Sequence, residues 1–362
     1  MSDKKEIKNL NNLTEVDFKK KEVPEFRDEF INREEVHSIL SSNFGRISDN
    51  WFKFSTTWNY NAYATFMDMD KYLILIYLVQ KSFRHYADIL IIHSEEHFYS
   101  KEEFEIEKIN LIEISQDLMI AKETIRRKIN ELSKEQVITR RGKKILLRPL
   151  TFIHQRPRHS IKALSIFLAS CSKYLATQNW FGDSIDANTI ENFIRVNFTL
   201  IWRFFFRFKI PFLIRQRNFH GDLETFIVAG TIFANNIARL RDKFKERPFT
   251  FSEKTNDLGE ANFLKWANYI ITSKEKIIGM NASSISEITG IPRATVIRKL
   301  KITNKRGLVY KDKQQLYTIG KNYRSKLKDL GKVFSENQVD LCKFVSTFFE
   351  LYRNPNINKN YK

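Results

Sequence analysis

Two stretches decide how this chain is read: Ile112 to Leu132, IEISQDLMIAKETIRRKINEL, and Ser283 to Thr303, SSISEITGIPRATVIRKLKIT. Laying Thr124 on Thr295 (295 − 124 = 171) also lays Ile114 on Ile285, Ser115 on Ser286, Ile120 on Ile291, Ile125 on Val296, Lys128 on Lys299 and Ile129 on Leu300. In the first stretch Ile125, Ile129 and Leu132 recur at spacings of four and three, which gathers them on one helix face. Lys122, Glu123, Arg126, Arg127 and Asn130 then face outward. In the second, Val296 and Leu300 hold the inner face, while Arg293, Arg298 and Lys301 point out. Gly290 tolerates a positive φ at the turn, and Pro292 suits the first position of the next helix, where no backbone donor is needed. Met119 and Ala121 stand at those places in the first copy. Both stretches fit a short helix, a tight turn and a second helix able to enter a major groove, the helix-turn-helix pattern.

The segment after each second helix extends the pattern. Val137 to Leu147, VITRRGKKILL, sets two apolar runs around a basic, Gly-containing turn, and Gly307 to Ile319, GLVYKDKQQLYTI, sets two β-prone runs around a charged tip. Val137 and Ile138 align with Leu308 and Val309 at the same offset. Each unit therefore reads as a winged helix-turn-helix, a three-helix core with a β-hairpin wing.

The run KETIRRKI, Lys122 to Ile129, with IEISQDL before it, resembles the DNA-binding end of Crp/Fnr-type bacterial regulators, whose second helix reads basic, acidic, Thr, aliphatic, any, Arg. RATVIRKL, Arg293 to Leu300, fits with Ala294 in place of the acid. The resemblance covers about a quarter of the chain; nothing resembles the Gly-rich cyclic-nucleotide barrel of those regulators. It implies that Lys122, Glu123 and Arg127 approach base edges in the first copy, and Arg293 and Arg298 in the second. Arg126 and Thr295 lie on the same two helices and complete the candidate set. Winged-helix pairs also occur in plasmid replication initiators, which this chain resembles in architecture.

Composition supports a polyanion partner. The 362 residues carry 61 basic and 42 acidic side chains, a net charge of +19, and counterion release favours such a surface on phosphate. The alternative reading is that the Lys-, Asn- and Ile-rich composition reflects an A+T-rich genome. Hydrophobic residues at 42% and aromatics at 14% exclude a mostly disordered protein. Two cysteines, Cys171 and Cys342, build neither a disulfide framework nor a Cys-rich zinc site, which fits a reducing cytoplasm near the nucleoid. The opening MSDKKEIKNLNN is polar, unlike a secretory signal. The most membrane-like stretch, Phe198 to Ile214, is interrupted by Arg203, Arg207, Lys209 and Pro211, so it reads as a buried or oligomer-facing helix without stable membrane insertion.

The repetition extends beyond the motifs. Asp70 to Phe83 and Asp222 to Asn235 are apolar helical runs at an offset of 152 (222 − 70), preceded by Phe52, Phe54, Trp58 and Tyr60 in one half and Phe204, Phe206, Ile210 and Phe212 in the other. The change from 152 to 171 implies an insertion of 19 residues (171 − 152), for which Pro248 to Trp266 is the obvious place. Closing helices start near Ser160 and Ser335. The expected fold is mainly α, in two duplicated helical modules. A flexible arm covers 1–31, the first module 32–179 with its winged helix at about 101–149, the second module 180–353 with its winged helix at about 266–320, and a tail 354–362.

Features of an enzyme are missing. Eleven glycines leave little material for a phosphate loop, and none is patterned as one. His93 and His97 in HSEEH are four apart, but Ser94 stands where a metalloprotease needs Glu. His154 and His159 flank a basic RPR loop suited to phosphate or solvent, with no further metal ligands beside them. No catalytic residue, metal or cofactor is therefore expected. The partners expected are double-stranded DNA and, as a homodimer, a second copy of the chain; no effector is identified. Trp51, Trp58, Trp202 and the Phe-rich helices read as core, with a small-molecule pocket as the alternative.

The functional expectation is a sequence-specific DNA-binding protein, a transcriptional regulator. Wing residues Arg140, Arg141, Lys143 and Lys144 in the first copy, and Lys311 and Lys313 in the second, would hold phosphates while recognition helices read bases. Two units in one chain can occupy two half-sites roughly 34–36 Å apart, as a dimer does. The alternatives are a plasmid- or phage-type initiator bound to repeated origin sites and a helical scaffold using winged helices for protein contacts.

Overall fold

Short polar side chains start the helices that matter most. Asp68 Oδ1 accepts from the Lys71 N–H at 2.8 Å, Asn110 from Glu113 at 2.8 Å, Asp222 from Thr225 at 2.7 Å and Asn281 from Ser284 at 2.8 Å, each satisfying a donor that the first helical turn leaves open. The computed structural model describes residues 33–106, 110–142, 144–151, 156–177, 182–246, 279–319 and 323–354. The first half runs α1 (Arg33–Ser42), α2 (Phe44–Phe66), α3 (Met69–Asp88), α4 (Glu95–Ser100), β1 (Phe104–Glu105), α5 (Leu111–Leu118), α6 (Lys122–Lys134), β2 (Ile138–Arg141), β3 (Lys144–Leu147) and α7 (Arg158–Ala176). The second runs α8 (Ala187–Val196), α9 (Phe198–His220), α10 (Leu223–Glu246), α11 (Ala282–Thr289), α12 (Arg293–Lys305), β4 (Val309–Lys311), β5 (Tyr317–Ile319) and α13 (Tyr323–Arg353). The protein is mainly α-helical and contains winged helix-turn-helix geometry.

Helix lengths recur between the halves. α1 and α8 have 10 residues each, α2 and α9 have 23, α5 and α11 have 8, and α6 and α12 have 13. The offset ahead of the motifs, however, is 154 (222 − 68) rather than 152, because Asp68, not Asp70, caps its helix as Asp222 does. The run DMD around Met69 offers two aspartates, and the second of them lies inside the helix. The insertion so implied is 17 residues (171 − 154). Pro248 to Trp266, the arm 1–31, Lys143, His154 and residues 355–362 of the tail lie outside the described residues. The closing helices also differ from expectation: α13 has 31 residues against 19 in α7. Arg158 and His159 open α7 rather than lying in a loop, while Arg156 sits 5.1 Å from the Tyr99 ring.

Packing interleaves the halves. α2 lies on α10 and α9 on α3, so each half's second helix covers the other half's third; α1 lies on α13 and α8 on α7 in the same reciprocal way. One continuous core results, with Phe54, Phe83, Phe167, Phe193, Phe205 and Phe208 all at 1% exposure or less. Each such ring buried contributes roughly 1.5–3 kcal/mol. Trp58 of α2 meets Trp202 of α9 edge-on at 5.5 Å, and Tyr60 shares a 2.9 Å hydrogen bond with Thr231. α9 holds Pro211 in its interior and is buried along most of its length, as expected for Phe198 to Ile214. No described helix is long and apolar enough to cross a membrane.

The wings are small antiparallel sheets. In the first, β3 is central in the order β1-β3-β2, with Phe104 and Ile138 both opposite Leu147. In the second, β4 pairs with β5, Val309 opposite Ile319, and an isolated bridge from Met280 to Tyr317 adds the third edge.

Candidate nucleic-acid interface

Each recognition helix is fixed from behind before its outer face is offered to solvent. Behind α6, Ile125, Ile129 and Leu132 are fully buried, and behind α12 so are Val296 and Leu300. α3 packs behind the first motif and α10 behind the second, supplying the third helix of each core. A buried lysine then ties helix to helix. Lys128 Nζ lies 2.7 Å from Asp68 and 2.8 Å from Glu131; Lys299 Nζ lies 2.6 Å from Asp222. Burial opposes the charge on Lys128, but its hydrogen bonds to Asp68 and Glu131 outweigh that and raise its pKa. Burial likewise opposes ionisation of Asp68 and Asp222, and the lysines hold both carboxyls below the usual range.

The turns match in conformation and differ in chemistry. Met119 adopts φ 52° and Gly290 φ 71°, both left-handed. Ser115 Oγ donates to Ile120 O at 2.6 Å, and Ser286 Oγ to Ile291 O at 2.7 Å, pinning both turns alike. The expected place of Pro292 shifts by one: it is the N-cap of α12 with extended ψ of 135°, and its carbonyl accepts from Val296 at 3.0 Å. Its ring still removes only a donor that the helix start does not use. Arg217 of α9, which no pattern in the sequence singles out, reaches across the halves and donates to the carbonyls of Leu118 and Met119.

Outward faces are as the periodicity required. Lys122, Glu123, Arg126, Arg127 and Asn130 are exposed on α6, and Arg293, Arg298 and Lys301 on α12; Thr295 is half-buried. Arg126 pairs with Glu123 at 3.2 Å, and Arg293 Nε donates to Ser283 Oγ at 3.0 Å. Such exposed contacts are worth at most about 1 kcal/mol and yield readily to a phosphate. Arg127 and Arg298 form no ion pair among the described residues, so both guanidinium forks stand ready for an acceptor pair.

The wings extend these faces unequally. Arg140, Arg141 and Lys144 are exposed around Gly142, whose φ of 61° makes the tight tip. Arg140 Nη1 donates to Asn130 at 3.4 Å, joining the wing to α6, while Arg141 meets Glu103 at 2.9 Å and Lys144 approaches Glu105 at 4.0 Å. In the second wing Lys311 is half-buried over the Tyr317 ring at 5.6 Å, leaving Lys313 as the exposed tip. His93 and His97 stack at 4.6 Å, and among the described residues no three His, Cys, Asp or Glu side chains gather as a metal group.

Residues 105–142 match the DeoR-like helix-turn-helix domain family. The match runs from the end of β1 through β2 and takes in both helices of the first motif. No curated protein and no solved structure is similar to the chain. Together, the outward basic helix and this match identify a DNA-binding domain of the winged helix-turn-helix class, the kind that transcriptional regulators carry.

Proposed function

We propose that this protein is a non-enzymatic, sequence-specific transcriptional regulator that grips duplex DNA with two winged helices, one in each half of a duplicated chain. The observation that carries the reading is the repeated strut: a buried lysine on each recognition helix, Lys128 and Lys299, paired with the capping aspartate of the helix behind it, Asp68 and Asp222. Matching helix lengths, turn conformations and serine contacts support the same duplication. A strut of this kind commits a buried charge to orienting one helix, which suits a helix that must meet a groove at a set angle. Arg127 and Arg298 would pair with guanine edges, Lys122 and Arg293 would lie beside them, and the wings would hold phosphates.

Footprinting on the protein's own upstream region tests it. Lys122→Ala/Arg127→Ala and Arg293→Ala/Arg298→Ala should each shorten the footprint and weaken binding by ten-fold or more, since linked sites gain from effective concentration and each base-reading arginine contributes about 1–3 kcal/mol. The first pair should lose more, because its wing is the more basic. An unshortened footprint with parental affinity for the second pair defeats the two-site reading. Direct repeats at an origin, in place of paired sites upstream of genes, would instead point to a replication initiator.

A further inference from the structure

Where the two halves meet behind the second wing, the core leaves a cavity of about 140 Å³. Its walls come from α2, α9, α10 and α13, closed by Leu308, Val309 and Ile319 of the wing. A related hollow of about 280 Å³ lies between α2, α3 and α9, and the 154-residue offset maps Trp58, Ala62, Phe66 and Tyr72 of that wall onto Phe212, Gln216, His220 and Phe226 of this one. Two differences stand out. Ala229 and Gly230 stand where Leu75 and Ile76 do, so the α10 wall has no bulky side chain there; Gln216 and His220 replace Ala62 and Phe66, which brings polar groups into an aromatic wall.

Those polar groups are not all used. His220 Nδ1 and Gln338 Oε1 are buried with no hydrogen-bond partner among the described residues, although the two residues are only 8% and 6% exposed. Gln338 commits its amide nitrogen to Ser41 at 2.9 Å, so its remaining atom is an acceptor. An orphaned buried acceptor is costly, and two facing one cavity offer hydrogen bonds to whatever enters it. Burial pushes the His220 imidazole down to about 3, so the ring is neutral at physiological pH. Among the described residues none of the lining side chains carries a charge, and Trp51, Phe212 and Phe226 supply flat apolar walls.

We propose that this cavity is a binding site for a neutral single-ring aromatic molecule of the phenol class, whose hydroxyl donates to Gln338 Oε1, whose oxygen accepts from His220 Nδ1–H, and whose ring packs among Trp51, Phe212 and Phe226. The size suits one ring, since an engineered apolar cavity of about 150 Å³ takes benzene. A carboxylate is disfavoured, because no described lining side chain is charged and the Lys209 amine behind the wall is already bonded to Asn59. Because the wing's base is part of the wall, occupancy bears directly on the placement of the second winged helix.

The test needs no DNA, so its failure is separate from failure of the DNA-binding reading. Phenol, benzene and benzoate are titrated into the full chain, with thermal melting and tryptophan fluorescence as readouts. Phenol should raise the melting temperature saturably and change the fluorescence, benzene should bind at least ten-fold more weakly, and benzoate should have no effect. Gly230→Leu should abolish the phenol response while melting cooperatively, since a Cβ there meets only Phe226 at 3.9 Å and a longer side chain enters the cavity. Gln338→Leu should bring phenol and benzene to similar affinity; Ala229→Leu serves as a second filling variant should Gly230→Leu not fold. No saturable phenol response in the parent, benzoate binding as well as phenol, or parental phenol binding in a folded filling variant overturns the proposal.

Discussion

Met119 and Gly290 sit at the same turn in the same left-handed conformation, yet the first motif reaches it with a residue that disfavours it and the second with one that does not. The first compensates from outside: Arg217 of the opposite half donates to the carbonyls at that turn and approaches Asp70 at 3.7 Å. The position 154 residues before Arg217 is Tyr63, which carries a single hydroxyl donor. The first wing is a three-stranded sheet with three exposed cations among its described residues, the second a two-stranded one whose Lys311 leans on Tyr317. What stays constant is the buried strut and the serine contact. Orientation of a recognition helix is thus fixed by a few internal polar links, and the outer face is free to differ.

A further asymmetry between the halves lies in the core, where Lys209 of α9 stands at the position of Ser55 in α2. Lys209 is fully buried, its Nζ bonded to Asn59 Oδ1 at 3.2 Å and 4.6 Å from the Phe212 ring centroid, and burial pushes it down to about 7. Between that value and the unfolded value of about 10.4 the unfolded chain binds the extra proton, so stability rises with pH across this window. Lys209→Met should therefore stabilise the fold by about 1–4 kcal/mol at pH 6–7, with the gain shrinking toward pH 10. Denaturant melts at several pH values read this out; a gain independent of pH would mean that the amine is not what the site resists.

Breaking the struts compares the two motifs directly. Lys128→Met and Lys299→Met each strand a carboxylate, but Asp68 and Asp222 keep side-chain exposures of 30% and 38%, so solvent softens the loss to about 1–2 kcal/mol. Both carboxyls are held low, so the strut's contribution is present above the ordinary carboxylate pKa and is lost as pH falls through the depressed value. Equal losses in urea melts would sharpen the equivalence of the motifs; a neutral Lys299→Met would break it.

The turn itself gives the smallest effect, with opposite signs. Gly290→Ala should cost about 1 kcal/mol from backbone conformation alone, since no atom lies within 4 Å of the added Cβ. Met119→Gly should leave stability unchanged or raise it by a few tenths of a kcal/mol. Destabilisation of both by similar amounts, measured in the same melts, would show that side-chain packing rather than φ governs the turn.

Much of the local picture is legible because helical periodicity is written in consecutive residues. Ile125, Ile129 and Leu132 announce their face without help from the rest of the chain, and the exposed arginines follow from them. Lys128 and Lys299 can be aligned, but their role depends on aspartates some 60 to 77 residues away, a distance over which sequence carries no geometry. Lys209 reads as an interruption in an apolar run; only the tertiary arrangement reveals that it is enclosed. The reciprocal packing of α2 on α10 and α9 on α3 leaves no local trace, because an apolar face has the same pattern whichever half covers it.

That reciprocity makes the pair of halves the covalent equivalent of a dimer that has exchanged arms. Its two motifs sit on one chain around one core, so dilution does not separate them. Their faces are also encoded independently, one by Lys122 to Asn130 and the other by Arg293 to Lys301. If both helices read DNA, as proposed above, two differently encoded faces would meet two different half-sites, and the target need not be a palindrome.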